Sequence, residues 1–173
     1  NVLIQTPVYN IFFNSIINNG RFVAESPLAY DGDRYTIDWE DLEQKLSDPQ
    51  VSMMILCNPH NPVARVWTKE ELTRMGEICQ KYQVKVVSDE IHADFVFKGK
   101  HQVFAAISKE FADFTITCTS PSKTFNLAGL QISNIFISNP QIRETFRQEI
   151  NRAGYSQLVQ KSRTSGRNIF SEI

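Results

Sequence analysis

The sequence predicts an α/β domain built around a mostly parallel sheet, and three observations support this fold class. Segments with strand patterning alternate with segments of helical periodicity along most of the chain. The apolar run at residues 51–56 is typical of a strand that is covered on both faces of a parallel sheet. Three predicted strands also end in polar clusters, which is where open parallel sheets bind their ligands.

Local signals place the elements in order along the chain. The predicted strands span residues 2–4, 21–24, 51–56, 84–87, 114–118 and 132–137. The predicted helices span residues 9–18 and three segments that begin after Asp38, Thr68 and Asn139. Asp38 can cap a short helix, Thr68 forms a capping box with Glu71, and Pro140 suits a first helical turn.

Composition limits the classes of function. Hydrophobic residues make up 42% and charged residues 21% of the chain, which is ordinary for a globular domain. The formal net charge of −1 gives no basis for binding nucleic acid or a membrane surface, and no apolar stretch is long enough to span a bilayer. The three cysteines, Cys57, Cys79 and Cys118, form no paired ligand motif, so we expect no metal site. We interpret them as buried thiols in a reducing compartment, which predicts a cytoplasmic protein.

Polar residues follow three predicted strands in the order Asn61, Asp89 and Lys123. Because ligands bind at the carboxyl ends of parallel strands, we expect these side chains to converge in one site. Lys123 lies between small hydroxyl residues directly after an apolar run. A lysine in such a turn can form a Schiff base with a carbonyl cofactor, although a lysine considered alone is more commonly a solvated surface charge.

Three ordered motifs carry a family resemblance: NPHNP at residues 58–62, SDEIH at 88–92 and SPSKTFNLAGLQ at 120–131. Together they resemble fold-type I pyridoxal-phosphate (PLP) enzymes of aminotransferase class I/II, and most closely the MalY/PatB-type C–S β-lyase branch. The resemblance runs from about residue 2 to about residue 158. It implies a three-layer α/β/α large domain with a mostly parallel sheet, PLP as cofactor, a small sulfur amino acid as substrate and a homodimer in the parent family.

The resemblance also implies roles for individual residues. Lys123 would hold PLP and then act as the catalytic base at the substrate Cα. Asp89 would pair with the ring nitrogen, because an opposite charge favours the protonated form of that nitrogen. The other implied cofactor contacts are Asn61 and His92 at the phenolate oxygen, Tyr9 on the ring face, and Ser120 and Ser122 at the phosphate. For His92 and Tyr9 a structural role stays open, and Asn58 fits a turn better than the site.

Two positions depart from the family pattern. General class I/II aminotransferases resemble one another in having an arginine eight residues after the lysine, where this chain has Gln131. A glutamine cannot form a charge-assisted bidentate contact with phosphate, and its presence favours the C–S lyase branch. Ala64 stands where the family has glycine, and it costs stability if its φ is positive.

These motifs predict β-elimination from cystathionine or cysteine, giving a thiol, pyruvate and ammonia. An aminotransferase would use the same Lys123, Asp89 and Asn61, so this activity remains an alternative. A catalytically inactive fragment that keeps the fold is a third possibility.

The chain is shorter than members of this family, and we expect it to be truncated at both ends. We interpret residues 1–158 as a partial PLP-binding large domain and residues 159–173 as a divergent, disordered tail. The resemblance implies that the phosphate loop before residue 1 and the arginine that binds the substrate carboxylate lie outside this chain.

Overall fold

The structure, a computed structural model that describes residues 1–154, has the α/β fold predicted from the sequence. The strands of this part are β1 (Val2–Thr6), β2 (Val23–Pro27), β3 (Ala29–Tyr30), β4 (Tyr35–Thr36), β5 (Met53–Cys57), β6 (Lys85–Asp89), β7 (Thr115–Thr119) and β8 (Asn134–Ile137). Its α-helices are α1 (Ile11–Asn18), α2 (Trp39–Leu46), α3 (Lys69–Lys81), α4 (Lys109–Phe114) and α5 (Pro140–Arg152). The chain divides into two units, Asn1–Ser138 and a second that begins at Asn139.

Six strands of the first unit form one sheet in the order β2-β1-β5-β6-β7-β8. Neighbouring strands are parallel, except that β8 pairs antiparallel with β7. The predicted mostly parallel sheet is therefore confirmed. Because β5, β6 and β7 are parallel neighbours, their carboxyl ends lie side by side at one edge.

One face of this sheet, which we call the closed face, packs against α2, α3 and α4. Its strands contribute Leu3, Met54, Leu56 and Val86, each with 0% exposure. The helices and loops that complete this core contribute Leu42, Leu46, Trp67, Leu72, Met75, Cys79, Phe104 and Phe111. This core is the larger of the two in the sheet, and it fixes the strands whose ends carry the site.

The opposite face, which we call the open face, packs against α1. Val2, Ile4 and Cys57 form a smaller core with Phe12 and Ile16 of that helix. Further along the sheet, toward β6 and β7, the open face borders a groove of about 390 Å³. Helices on both faces give the predicted three-layer arrangement.

Helix caps explain where two of the helices begin. The Asp38 carboxylate accepts a hydrogen bond from Asp41 N (3.1 Å) at the start of α2. Thr68 and Glu71 form the predicted capping box at the start of α3. Both caps were visible in the sequence because the residue type and the spacing are sufficient to define them.

Some boundaries differ from the sequence-based expectation. The sequence predicts strands that start at Val51 and Val84, but in the structure both residues lie before the strands β5 and β6. Their N–H groups instead donate to Asp48 O and Cys79 O, in the turns that follow α2 and α3. Strand β2 begins two residues later than expected. The hairpin of β3 and β4 and the helix α4 were not predicted, and the expected strand at 114–118 begins after α4 ends at Phe114.

The second unit, as far as it is described, consists of α5 and the turn that follows it. The Asn139 side chain accepts hydrogen bonds from Gln141 N (2.8 Å) and Ile142 N (3.2 Å), and Pro140 occupies the first turn. The helix predicted to begin here is therefore confirmed. The predicted domain boundary at residues 158/159 and the predicted disordered tail lie outside the described residues.

Candidate active site

A cavity of about 350 Å³ lies at the edge where β5, β6 and β7 end. All seven residues singled out in the sequence line it: Tyr9, Asn61, Asp89, His92, Ser120, Ser122 and Lys123. The remaining lining residues are Cys57, Ile91, Ala128, Gln131, Ile132 and Ser133. The expected convergence of three strand ends is thus realised in one cavity.

Asp89 is the last residue of β6 and lies in the centre of this edge. Its Cα pairs with Cys57 of β5 on one side and with Cys118 of β7 on the other. Asp89 Oδ1 accepts a hydrogen bond from Ile91 N (3.1 Å). Burial raises the pKa of the Asp89 carboxyl, partly opposed by that hydrogen bond and by His92. A carboxylate in this position is ready to bind a cationic group that enters the cavity.

Asn61 belongs to a tight loop after β5. Its backbone N–H donates to Cys57 Sγ (3.4 Å), and His60 N donates to Arg65 O (2.7 Å) across the loop. Ala64 has a φ of +56°, the strained condition raised for this position by the sequence. Asn58 has 0% exposure, and its amide donates to Gln102 O (2.9 Å), consistent with a structural rather than a binding role.

The lysine segment follows β7 and is held by its own hydroxyl groups. Ser120 Oγ lies 2.8 Å from Ser122 Oγ and 2.6 Å from Ile132 O, and it accepts from Ser122 N (3.0 Å). Thr124 Oγ1 donates to Asp94 Oδ2 (2.6 Å), which joins this segment to the one after β6. These bonds fix the turn whose residues Ser120, Ser122 and Lys123 line the cavity.

The other cavity residues are more accessible. The Lys123 side chain is exposed, and no ion pair joins its amine to any of residues 1–154. Tyr9 is 45% exposed and contacts Phe12 edge to face, with ring centroids 6.2 Å apart. The His92 ring packs edge to face with Phe95 at 6.1 Å. An exposed amine and an exposed aromatic face are both available to a ligand in the cavity.

The sequence profile of the family "Aminotransferase class I and II" matches residues 1–166. The chain belongs to this family. The family resemblance given by the three motifs is therefore confirmed, and its direction toward the C–S lyase branch is confirmed by the relatives that follow.

Three relatives illustrate this branch of the family. The chain is 46% identical over 171 residues to cystathionine beta-lyase PatB from Bacillus subtilis, covering 98% of this chain and 42% of PatB. Cystalysin from Treponema denticola, whose structure contains pyridoxal 5'-phosphate, superposes with a TM-score of 0.83 and 47% identity over 85% of this chain and 38% of cystalysin. The PLP-bound C–S lyase from Staphylococcus hominis superposes with a TM-score of 0.82 and 37% identity, over 87% and 38% of the two chains. The chain spans about two fifths of the length of these relatives.

A buried carboxylate beside this cavity was missed by sequence reasoning. Glu90 is 2% exposed and accepts from Ser88 Oγ (2.8 Å) and Phe104 N (3.1 Å). His101 Nε2 lies 2.8 Å from its other oxygen. The network ties the loop before Phe104 to the residue after Asp89. No spacing rule connects Glu90 with His101, so the sequence alone offered no signal for it.

Two kinds of feature are absent from the described part of the chain. None of its helices combines the length and the apolar character needed to cross a membrane. Among residues 1–154, no group of three His, Cys, Asp or Glu side chains is arranged to hold a metal ion.

Proposed function

We propose that this chain is the cofactor-binding part of a PLP-dependent C–S β-lyase, an enzyme that acts on cystathionine or a similar sulfur amino acid. One observation carries the proposal: seven side chains at or just after the carboxyl ends of β1, β5, β6 and β7 line a single cavity. The family membership and the similarity to cystathionine beta-lyase PatB support it.

The groups in the cavity match the functional groups of PLP. Lys123 offers an amine to the aldehyde carbon, and the partly buried carboxylate of Asp89 suits the protonated ring nitrogen. The amide of Asn61 suits the phenolate oxygen, with His92 beside it. The remaining contacts would be Tyr9 on the ring face and the hydroxyls of Ser120 and Ser122 at the phosphate. The volume of about 350 Å³ lies within the usual range for small-ligand pockets.

When bound, PLP supplies an electron sink for the negative charge that develops at the substrate Cα. Lys123 Nζ takes the Cα proton as the general base. The Asp89 carboxylate would hold the proton on the ring nitrogen, because an opposite charge favours the protonated form of that nitrogen. The bond from Cβ to sulfur then breaks, the sulfur leaves as a thiolate, and hydrolysis gives pyruvate and ammonia.

An aminotransferase is the second candidate, because the matching family profile includes this activity. The proposed roles of Lys123, Asp89 and Asn61 are the same in both reactions. Gln131 lines the cavity where general aminotransferases are expected to place an arginine, which supports the lyase. The two reactions differ in one requirement: a transaminase needs a keto acid as amino-group acceptor, whereas a lyase releases pyruvate without one.

Two measurements test the proposal. Addition of PLP should give the violet absorption band of a lysine-bound cofactor, and Lys123→Ala should abolish it. Lys109→Ala, which removes an exposed lysine at the start of α4, is the matched control and should keep the band. Cystathionine should then yield pyruvate without an added keto acid. A strict need for a keto acid would identify an aminotransferase, and a wild-type chain without the band would contradict PLP binding.

We further propose that the protein is a cytoplasmic homodimer. The free thiols of Cys57, Cys79 and Cys118 support a reducing compartment. The dimer rests on the family resemblance, and light scattering of the purified chain would test it by giving twice the mass of one chain.

A further inference from the structure

The edge of the sheet presents Asp89 between two thiols. Cys57, Asp89 and Cys118 pair across β5, β6 and β7, so the three side chains form one row on the open face. Neighbouring strands are about 4.8 Å apart, so both cysteine side chains are adjacent to that of Asp89. Cys57 and Asp89 line the site cavity, and Asp89 and Cys118 line the adjoining groove. We call Cys57 and Cys118 the flanking thiols.

The thiol of Cys57 is engaged away from Asp89. Its Sγ donates to Pro59 O and accepts from Asn61 N, both at 3.4 Å. The sulfur therefore holds the backbone of Asn61 while its proton is directed toward the loop. Cys57 thus touches two residues to which we assign cofactor contacts, without donating to the carboxylate.

Both thiols remain neutral near pH 7. Burial raises the pKa of Cys57 to about 12 and that of Cys118 to about 11, and the Asp89 charge acts in the same direction. A neutral thiol is a weak hydrogen-bond donor. Within residues 1–154, the hydrogen bond that the Asp89 carboxylate accepts comes from Ile91 N. Its remaining lone pairs are thus available at the cavity, and the flanking thiols beside them are poor donors.

We propose that Cys57 and Cys118 are positioning residues that leave the Asp89 carboxylate free to bind the ring nitrogen of the cofactor. This inference rests on the proposed function, because it concerns how strongly Asp89 binds PLP. A carboxylate that shares its lone pairs with strong donors in the protein binds a further cationic donor less strongly. Thiols fill the space beside Asp89 without that competition.

Serine in place of either cysteine tests the idea, because it is nearly the same size but is a strong donor. Its hydroxyl can rotate toward the nearest acceptor, and an ionised carboxylate is a stronger acceptor than the Pro59 carbonyl. Alanine removes the sulfur and supplies no donor. The proposal therefore predicts that serine disturbs Asp89 and alanine does not, whereas a packing role predicts the reverse order.

The experiment measures the dissociation constants of PLP and of an analogue in which CH replaces the ring nitrogen. The proteins are the wild-type chain and the Cys57→Ser, Cys57→Ala, Cys118→Ser and Cys118→Ala variants. The analogue cannot bind Asp89 through that position, so the ratio of the two constants isolates the contact. We expect each serine variant to bind PLP about tenfold more weakly, with the analogue unchanged and the wild-type ratio kept in the alanine variants.

The Cys118 variants test the inference independently of the Cys57 variants. Asn61 N donates to Cys57 Sγ, so replacing Cys118 leaves that hydrogen bond in place. A wild-type ratio in both serine variants would overturn the inference while leaving the proposed function intact. Equal weakening of PLP and analogue would also overturn it, since that result indicates a packing role. If the wild-type chain binds neither compound, the proposed function fails, and this inference fails with it.

Discussion

The two faces of the sheet are formed by the same strands but have different surroundings. On the closed face, Leu56 and Val86 have 0% exposure in a core completed by three helices. On the open face, the adjacent residues Ile55 and Val87 are partly exposed and border a groove. Because successive strand residues point to opposite faces, one strand serves both environments.

Within a single strand, the residues that stabilise the fold therefore lie on one face, and the residues of the candidate site lie on the other. The closed face buries large apolar side chains, and burial of this kind is the main favourable term in folding. The open-face row ends in Cys57, Asp89 and Cys118, where burial of a carboxylate opposes folding rather than favouring it. The sheet can hold a destabilising group at its edge because the opposite face supplies the core.

The sharpest test of this comparison uses two neighbours on β5. Leu56→Ala should lower the free energy of unfolding by about 3 kcal/mol, because it leaves a cavity in the closed-face core. Ile55→Ala should cost about 1 kcal/mol, since its surface is already partly in water. Urea denaturation followed by circular dichroism measures both values. Equal losses would contradict the distinction between the faces.

The next largest expected loss of stability comes from close packing between helices on the closed face. An added Cβ on Gly76 of α3 would overlap the ring of Phe111 in α4, which is itself buried. Gly76→Ala should therefore destabilise the chain by about 2 kcal/mol, despite the better helix propensity of alanine. Gly129→Ala is the control, because nothing lies within 4 Å of its added Cβ. A melting temperature unchanged by Gly76→Ala would mean that the Phe111 ring moves aside readily.

On the open face, Asp89→Asn should separate binding from stability. Loss of the carboxylate should weaken PLP binding about 30-fold, equivalent to about 2 kcal/mol, as measured by titration of the violet band.

The same variant should stabilise the cofactor-free chain. Burial raises the folded-state pKa of Asp89 above 3.8, so wild-type stability falls as the pH rises through that raised pKa. Asparagine has no charge to bury, so the advantage of the variant should be present at pH 7 and narrow as the pH approaches 3.8. An Asp89→Asn variant that is less stable than wild type at pH 7 would refute this account.

The smallest expected effect concerns the start of α3. Thr68→Ala removes the hydroxyl that accepts from Glu71 N (3.1 Å) and should cost about 1 kcal/mol of unfolding free energy. PLP binding should be unchanged, because α3 packs on the closed face. Thr68→Ser keeps the hydroxyl and should retain most of the stability. A change in PLP affinity with Thr68→Ala would contradict this prediction, because it would show that the start of α3 on the closed face affects the site.

The sequence predicted most of the sheet and the position of the site, for a simple geometric reason. Parallel strands place their carboxyl ends at one edge, so Asn61, Asp89 and Lys123 converge once the strands are identified. The roles at the cofactor came from the family resemblance, and they remain proposals. The contacts that support the site were not predictable in the same way. The partners Glu90 and His101, like Asp94 and Thr124, meet through loops that have no periodicity.

Local ambiguity explains the missed helix α4. Phe111 and Phe114 lie close to a β-branched run, so the pattern indicated that the strand begins at Phe114. Ser108 carried the contrary signal, since its hydroxyl caps the helix by accepting from Phe111 N (3.1 Å). A cap therefore marked a helix start that hydrophobicity alone did not distinguish from a strand.

The antiparallel pairing of β8 with β7 has a consequence for the lysine. Thr119 pairs with Asn134, so residues 120–133 leave and re-enter the sheet at neighbouring positions. Lys123 therefore lies on a loop whose two ends are held together by the sheet. The entropic cost of closing that loop is met when the sheet forms, so a ligand does not have to meet it on binding. Hydrogen bonds of Ser120, Ser122 and Thr124 hold the backbone around Lys123, so its long side chain can change rotamer without a change in the loop. The two proposed roles of this lysine, holding a cofactor and moving a proton, require that combination.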